Sequence, residues 1–113
     1  MKYLIAIIQP DRLNEVMEEL DKRDVHLVTA TEVMGHGRQM GEAEVYRGHK
    51  EVGRLLRKIK LEIAVNDEFL QPAIEAVTKG ARTEQIGDGK IFVLDLQDTI
   101  RIRTGETGNV AIG

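Results

Sequence analysis

The sequence predicts an α+β fold of the ferredoxin-like, split βαβ type, in which an antiparallel sheet carries two helices on one face. Segments with a two-residue apolar period alternate with segments whose apolar residues recur every three or four positions. Their order is strand, helix, strand, long loop, strand, helix, strand, which is the order of that fold. The composition does not change along the 113 residues, so we predict a single domain at 1–113.

The first strand is predicted at residues 3–8, where both alternating faces are apolar, as in a central strand covered on two sides. Pro10 ends this strand, and Asp11 is the predicted N-cap of the first helix. A basic pair at 22–23 favours the C-terminal end of the helix. The apolar stripe of the helix consists of Leu13, Val16, Met17 and Leu20.

A run rich in β-branched residues predicts a second strand at 25–34, and an alternating run predicts a third strand at 58–65. Asn66 or Asp67 can cap a second helix, and Gly80 is its predicted left-handed terminator. The apolar face of this helix consists of Phe69, Leu70, Ala73, Ile74 and Val77.

Pro72 lies slightly beyond the predicted first turn of the second helix, which predicts either a late helix start or a missing hydrogen bond. After a loop at 81–90, a fourth strand is predicted at 91–96 and a short fifth strand at 99–103.

The loop at 35–52 is unusually long, because ordered domains mostly join their elements with roughly 4–6 residues. It contains four glycines and two arginines and shows neither apolar period. We interpret it as a functional loop, the alternative being an insertion tolerated at the surface.

The composition excludes several functions. Serine and cysteine are both absent, which excludes serine and cysteine hydrolase mechanisms, disulfides and thiolate metal sites. A net charge of −3 with two Tyr and two Phe argues against nucleic-acid binding. The N-terminal apolar run ends at Gln9, far short of a ~20-residue membrane span. We expect a cytoplasmic protein that does not itself insert into a membrane.

A glycine-rich turn, Gly87-Asp88-Gly89-Lys90, precedes the fourth strand. Its glycines allow backbone N–H groups to converge on an anion that the lysine neutralises, although such a turn more often binds nothing. Arg101 and Arg103 lie two apart in the predicted fifth strand, so both side chains would leave one face and could grip successive phosphates. A solvated strand face is the alternative, and a polyphosphate ligand explains both features together.

Lys58 and Glu62 share the polar face of the third strand, where they form either a solvated surface or a pair of ligand contacts. Gln39 offers a hard oxygen donor suited to Mg²⁺, but a single Gln is not evidence of a metal. The histidines do not form a metal pattern, and they are His26 on the second strand and His36 and His49 in the long loop.

Across essentially the whole chain, these residues resemble the PII nitrogen-regulatory proteins. The motifs that carry the resemblance are Thr-x-Thr-Glu-Val at 29–33, Gly-x-Gly-Arg-Gln at 35–39, Glu-x-Tyr-Arg-Gly at 44–48, Lys58 with Glu62, Ala-Arg-Thr at 81–83, Ile-Gly-Asp-Gly-Lys-Ile-Phe-Val at 86–93 and Ile-Arg-Ile-Arg-Thr-Gly-Glu at 100–106.

The resemblance implies a homotrimer that binds ATP or ADP competitively in three clefts between subunits. Adenine and ribose contacts are implied near Ile7, Thr29, Glu62 and Ala64. The implied phosphate contacts are Gly37, Arg38, Gly87, Gly89, Lys90, Arg101 and Arg103. The implied nucleotide-binding set is Ile7, Thr29, Gly35, His36, Gly37, Arg38, Gln39, Glu62, Ala64, Gly87, Asp88, Gly89, Lys90, Arg101 and Arg103.

The resemblance also implies that 2-oxoglutarate binds beside Mg-ATP, with Gln39 as a ligand of Mg²⁺ and Lys58 on a 2-oxoglutarate carboxylate. His36 replaces the usual phenylalanine and Met40 a common lysine, which could loosen the nucleotide cleft and weaken 2-oxoglutarate binding. The implied 2-oxoglutarate set is Gln39, Met40, Gly41, Lys58 and Gly87.

The long loop matches the family's T-loop at 37–55, the segment that docks onto target proteins. Its implied partner contacts are Glu44, Tyr46 and Arg47, and the implied partners include an ammonium transporter, which would recruit the chain to a membrane, a nitrogen-assimilation enzyme, a kinase or an adenylyltransferase. Glu51 and His49 replace the tyrosine and serine that relatives modify, so neither modification is expected at those positions.

The sequence therefore predicts a non-enzymatic signal transducer that reads adenine nucleotides and 2-oxoglutarate. One alternative is a variant sensor that responds to adenine nucleotides or another small anion and ignores 2-oxoglutarate, which His36, Met40 and the non-standard loop tip motivate. Another is a slow nucleotide hydrolase with Asp88, Glu62 or a metal-bound water as base, although no paired acid and base supports it. An RNA-binding sheet is a further alternative, but the strands lack the surface aromatics it needs.

Overall fold

The computed structural model describes residues 1–36, 45–46, 49–50 and 55–113. Within these ranges the helices are α1 (Leu13–Lys22), α2 (Leu70–Ala81) and α3 (Asn109–Ile112), with short 3-10 helices at Pro10–Arg12 and Asp67–Phe69. No helix in these ranges is long and apolar enough to cross a membrane. The strands are β1 (Lys2–Ile8), β2 (Val28–Gly35), β3 (Val45–Tyr46), β4 (His49–Lys50), β5 (Leu56–Val65) and β6 (Gly89–Asp95).

The main sheet has the strand order β2-β5-β1-β6, and every neighbouring pair in it is antiparallel. Both helices that follow a strand, α1 and α2, pack on one side of this sheet. This arrangement confirms the predicted ferredoxin-like, split βαβ fold. The strands β3 and β4 form a separate antiparallel pair within the segment predicted as a loop.

The hydrophobic core lies between the helices and one face of the sheet, which we call the helix face. Alternate residues of the central strands point into it and are almost fully buried, because the side chains of a strand alternate between its faces. The opposite face, which we call the open face, carries Tyr3, Ile5 and Ile7 of β1. The buried core includes Leu4, Ala6, Ile8, Val16, Leu20, Ile59, Leu61, Ile63, Val65, Ala73, Ala76 and Val77.

The prediction that Asp11 caps the first helix is wrong. The turn begins earlier, as the 3-10 helix Pro10–Arg12, and Arg12 donates its backbone N–H to the Gln9 carbonyl at 3.0 Å. Pro10 favours this early start because its φ is already helical and it has no N–H to lose. Arg12 therefore takes the N-cap position of α1, without a side-chain capping bond.

The second helix also starts after a 3-10 turn, and α2 begins at Leu70, so Pro72 falls within its first turn. The late start predicted from Pro72 is confirmed. The prediction that Asn66 or Asp67 caps this helix is wrong, because Phe69 takes the N-cap position of α2. Asn66 precedes the 3-10 turn, and its side chain donates to the Asn109 carbonyl at 3.2 Å instead of capping.

The prediction that Gly80 ends the second helix in a left-handed conformation is also wrong. Gly80 lies inside α2 and is buried, and the helix ends one residue later with Arg82 as its extended C-cap. A Cβ on Gly80 would lie 2.5 Å from the Cα of Val16, so the glycine allows the backbones of α1 and α2 to approach closely. The residue is thus needed for packing between helices.

The other predicted boundaries shift by a few residues. β2 begins at Val28, because Asp24 adopts a φ of 60° and Val25 donates its N–H back to the Leu20 carbonyl at the end of α1. His26 therefore precedes the strand, contrary to the prediction. β6 starts at Gly89, two residues before the predicted start at 91, because the chain pairs with β1 as soon as it leaves the loop.

The predicted fifth strand at 99–103 is not formed, and residues 99–108 fold back on themselves. Gly105 and Gly108 have φ values of 74°, and an isolated bridge joins Ile100 to Thr107. Arg101 donates its backbone N–H to Glu106 at 2.9 Å. The glycines make this reversal possible. Ile102 and Arg103, which belong to the alternating run that predicted the strand, lie exposed in a turn.

The contact between Gly80 and Val16 predicts that Gly80→Ala destabilises the fold. Alanine has the higher helix propensity by roughly 1 kcal/mol, but its methyl group meets backbone atoms that cannot rotate away, which costs about 1–3 kcal/mol or more. We expect a net fall in the free energy of unfolding, measured by urea denaturation. Glu75→Ala, on the exposed side of α2, is the control and should change stability by less than about 0.5 kcal/mol. A Gly80→Ala chain as stable as the original would contradict this packing account.

Candidate functional site

The open face of the sheet brings together predicted nucleotide contacts from four strands. Ile7 of β1 lies between Lys60 of β5 and Lys90 of β6, and Thr29 of β2 lies beside Glu62 of β5. Because the side-chain period of a strand is two, this register places all five residues on one face. Charged groups and apolar groups therefore share a surface that α1 and α2 leave uncovered.

We distinguish two ends of the open face. The loop end is formed by Ile8, Ile59 and Gly89, and the terminal end is formed by the opposite ends of the same strands, at Lys2 and Val65. The predicted site residues fall at both ends. Ile7, Gly35, Lys58, Gly87 and Lys90 lie at the loop end, and Thr29, Glu62 and Ala64 lie toward the terminal end.

At the loop end, Lys58 lies against Gly35. A Cβ on Gly35 would be 3.4 Å from the Cγ of Lys58, so the aliphatic stem of the lysine packs on the glycine backbone. Partial burial lowers the pKa of the Lys58 ammonium below its ordinary value. An anion bound there would interact with an ammonium group that is partly shielded from solvent.

The glycine-rich turn at the start of β6 has a backbone conformation that favours glycine at two positions. Gly87 and Gly89 have φ values of 107° and 113°, where side chains are strongly disfavoured. At Gly89 a side chain is also excluded by space, since its Cβ would lie 1.7 Å from the carbonyl oxygen of Ile7. The turn therefore passes directly against β1 and delivers Lys90 to the open face beside Ile7.

The carboxylate of Asp88 points back into its own loop. It accepts hydrogen bonds from the backbone N–H of Thr83 at 2.7 Å, from the Thr83 hydroxyl, and from the N–H of Glu84 at 2.9 Å. Partial burial raises the pKa of Asp88, but these bonds outweigh that effect and the net shift is downward. Asp88, predicted as a nucleotide contact, thus uses its side chain within the loop.

At the terminal end, a cavity of about 420 Å³ opens between Tyr3, Thr29, Glu62, Ala64 and Ala111 of α3. It unites three residues that the resemblance assigned to adenine and ribose. Its mixed lining of apolar surface and a carboxylate is typical of a small-molecule site.

Tyr3 is a candidate site residue that the sequence reasoning missed. Its hydroxyl donates to Glu62, and this bond, with a smaller contribution from burial, raises the pKa of Tyr3. The Nζ of Lys60 lies 3.9 Å from the other oxygen of Glu62. The available signal was the alternation of β1, which places Tyr3 on the same face as Ile7.

Arg101 and Arg103 do not project from one extended strand, contrary to the prediction, because they lie in the reversed segment 99–108. The guanidinium of Arg101 donates to the Glu106 carboxylate at 2.8 Å and to the Val110 carbonyl of α3 at 3.1 Å. Arg103 is exposed. The guanidinium of Arg101 is therefore held by hydrogen bonds within the segment, whereas Arg103 is open to solvent.

The reversed segment lies at the terminal end. Leu96 donates its N–H to the Met1 carbonyl at 3.1 Å, and the Thr99 hydroxyl contacts the Met1 sulfur. The β6 strand of seven residues separates Gly89 from this end by about 20 Å, at roughly 3.4 Å per residue. Within one chain, the cations at 101–103 and the glycine-rich turn are therefore too far apart to bind the same phosphate.

Several predicted site residues lie outside the described residues, so their predicted roles stay predictions. His36 is described and is exposed. Among the residues that the structure describes, no three His, Asp or Glu side chains converge as a metal site would require. The predicted positions outside the described residues are Gly37, Arg38, Gln39, Met40, Gly41, Glu44, Arg47 and Glu51, and the strands β3 and β4 contain Tyr46 and His49.

Comparison with known proteins identifies the family. The family model described as nitrogen regulatory protein P-II matches residues 1–106. Nitrogen regulatory protein GlnK1 of Methanosarcina mazei is 54% identical over 99% of this chain and 97% of its own length. Nitrogen regulatory protein P-II of Mesorhizobium japonicum is 47% identical over 99% of this chain and all of its own length. Nitrogen regulatory protein P-II 2 of Methanothermobacter thermautotrophicus is 47% identical over 99% of this chain and 97% of its own length. The chain belongs to the nitrogen regulatory protein P-II family.

Proposed function

We propose that this chain is a PII-type signal transducer that binds ATP or ADP in clefts between subunits of a homotrimer. One observation carries the proposal: the two candidate phosphate-binding groups lie at opposite ends of the sheet, about 20 Å apart. A site that uses both groups must take the glycine-rich turn from one chain and the arginines from another.

The residues at each end suit different parts of a nucleotide. At the loop end, Gly87, Gly89 and Lys90 combine an unusual backbone conformation with a cation, which suits phosphate oxygens. At the terminal end, Thr29 and Glu62 line a cavity with polar groups that can bond ribose or adenine. Two chains that meet with the loop end of one beside the terminal end of the other would complete one site.

The open face offers the apolar surface that such an assembly needs. Phe92 and Leu94 of β6 are 49% and 46% exposed, and their paired residues on β1 are Ile5 and Tyr3. An exposed apolar sheet face of this kind is unusual for a monomer. Cyclic assembly would bury it on every subunit, and repeated head-to-tail contacts produce as many equivalent clefts as there are subunits.

We further propose that 2-oxoglutarate binds at the loop end when Mg-ATP is bound. Lys58 supports this, because its partly buried ammonium lies at the loop end, as the glycine-rich turn does. A carboxylate bound there gains more from the charge than it would on an exposed lysine. Gln39 would ligate Mg²⁺ through its amide oxygen, and the metal would neutralise charge shared by the phosphates and 2-oxoglutarate.

The output of the proposed sensor is the segment 37–55, which joins β2 to β5 next to Lys58. Ligand bound at the loop end would alter the contacts open to this segment, and the segment would then dock onto a nitrogen-related target. An ammonium transporter or a nitrogen-assimilation enzyme is the proposed target class, with Glu44, Tyr46 and Arg47 as proposed contacts. A transporter partner would bring a cytoplasmic chain to the membrane.

The site favours sensing over hydrolysis. A hydrolase would need a general base, and Asp88 is a poor one because its loop bonds hold its pKa low and occupy its oxygens. Glu62 already accepts a hydrogen bond from Tyr3. Phosphate release from ATP should therefore be negligible, and sustained release would reverse this part of the proposal.

Subunit mixing tests whether the site is shared. Lys90→Ala and Arg101→Ala should each weaken ATP binding by about 10- to 100-fold, because each removes a charged contact to phosphate. When the two variant chains are co-expressed with different tags and the mixed oligomers are purified, some clefts should regain both residues. We expect calorimetry to detect a fraction of sites with the original affinity.

Mixed oligomers in which both tagged chains carry Lys90→Ala are the control and should not recover. Arg103→Ala can replace Arg101→Ala if assembly suffers, because Arg103 is exposed and its loss leaves the Arg101 bonds to Glu106 and Val110 in place. A mixture that shows no recovered sites would mean that each chain binds ATP by itself.

Titration calorimetry with 2-oxoglutarate tests the carbon-sensing part. We expect heat of binding in the presence of Mg-ATP and none with ADP, because the metal and the γ-phosphate complete the site. Lys58→Met should abolish this heat, whereas Lys79→Met, which removes an exposed lysine from α2, should leave it unchanged. Binding of ATP and ADP without any response to 2-oxoglutarate would favour the variant sensor, with His36 and Met40 as the first positions to revert.

A further inference from the structure

We propose that the side chains of Asp88 and Thr83 form a clamp that holds the glycine-rich turn in its anion-binding shape, so that Asp88 positions the turn without touching the ligand. The inference rests on the proposed function, since it concerns the same phosphate-binding turn. It differs from the sequence-based expectation, in which Asp88 was a direct nucleotide contact.

The clamp closes a small ring of the backbone. The Asp88 carboxylate receives two backbone N–H groups and one hydroxyl from the start of the loop, five and four residues before it. The Thr83 hydroxyl also accepts the N–H of Gln85 at 3.3 Å. Hydrogen bonds to a charged acceptor are stronger than neutral ones, so this ring fixes the path of residues 83–88.

The enclosed backbone needs such a restraint. Glu84 has a φ of 66°, a conformation that residues with a side chain rarely adopt, and it donates its N–H to Asp88. Gly87 and Gly89, on either side of Asp88, also have positive φ values. A segment with three such residues has many competing conformations, and the clamp selects one.

Packing against the core does not supply this restraint. A cavity of about 270 Å³ lies between the loop and the C-terminal half of α2, lined by Val77, Ala81 and Ile91 among others. Residues 82–86 are exposed to solvent. The shape of the loop therefore depends on its internal hydrogen bonds, which are the ones that Asp88 and Thr83 make.

The clamp and simple electrostatics predict opposite changes in anion affinity for Asp88→Asn. Removal of a carboxylate near a phosphate site should strengthen anion binding if only charge matters. If the carboxylate shapes the turn, its loss weakens binding, because an asparagine presents an N–H where the loop presents donors. Glu84→Gln is the matched control, since it removes the same charge from the same loop and leaves the clamp intact.

The test measures ATP and inorganic tripolyphosphate binding to the full chain by calorimetry. We expect Asp88→Asn to weaken both by about 10-fold and Thr83→Val by about 3-fold, while Glu84→Gln is neutral or slightly stronger. The double variant should be no weaker than Asp88→Asn alone, because both residues act through one ring. In amide hydrogen exchange, Asp88→Asn should expose the N–H groups of residues 83 and 84.

The outcomes distinguish a failure of the clamp from a failure of the proposed nucleotide function. If the original chain binds neither ATP nor tripolyphosphate, the proposed nucleotide function fails. If it binds both and Asp88→Asn binds as well or better, the clamp is overturned while the nucleotide function stands. A Thr83→Val effect that simply adds to that of Asp88→Asn would also overturn the clamp, since the residues would then act independently.

Discussion

The pairing of β1 with β5 on one side and β6 on the other is the constraint on which the rest of the structure depends. Because both edges of β1 are used, the register of β5 and β6 is tied to the same seven residues, and a shift by one residue would exchange the faces of a whole strand. Leu4, Ala6 and Ile8 then fix the helix face by burial. Because these three residues face the helices, Tyr3, Ile5 and Ile7 must lie on the open face, together with the residues paired to them.

The same register separates the cations of the candidate site. The chain has an overall charge of −3, yet it places Lys90 at one end of the open face and Arg101 at the other. Each end also carries an acid that is already engaged, Asp88 in its loop and Glu106 on Arg101. A phosphate at the terminal end would therefore compete with Glu106 for the guanidinium of Arg101, whereas the Asp88 carboxylate is directed into its own loop.

Much of the fold could be predicted from the sequence because its helices and strands have clear apolar periods. The errors occur where a single residue has two possible uses. Pro10 could end a strand or begin a turn, and it does both, which displaces Asp11 from the capping position. Gly80 has the sequence context of a helix terminator, but its neighbour across the helix interface, Val16, cannot be known from local sequence.

The site was predictable at the level of residue types and less so in geometry. Alternation alone places Lys58 and Glu62 on one face of β5, and the structure agrees, but only the pairing with β1 shows that Ile7 lies on the same face. The side-chain direction of Asp88 was not predictable, because it depends on a hydrogen bond to Thr83 across an irregular loop. The distance between Lys90 and Arg101 likewise depends on where the chain passes after β6, which no periodic pattern records.

That distance has a thermodynamic consequence if the proposed shared site is correct. A ligand that binds only where two chains meet stabilises the assembled state over separate chains, by an amount that grows with the logarithm of ligand concentration. Nucleotide binding and subunit association are then reciprocal, since each must strengthen the other by the same factor. A monomer with the same residues on the same strands would bind phosphate at either end but could not couple them. The division of the site between the two ends of one sheet would therefore make assembly itself part of the sensor.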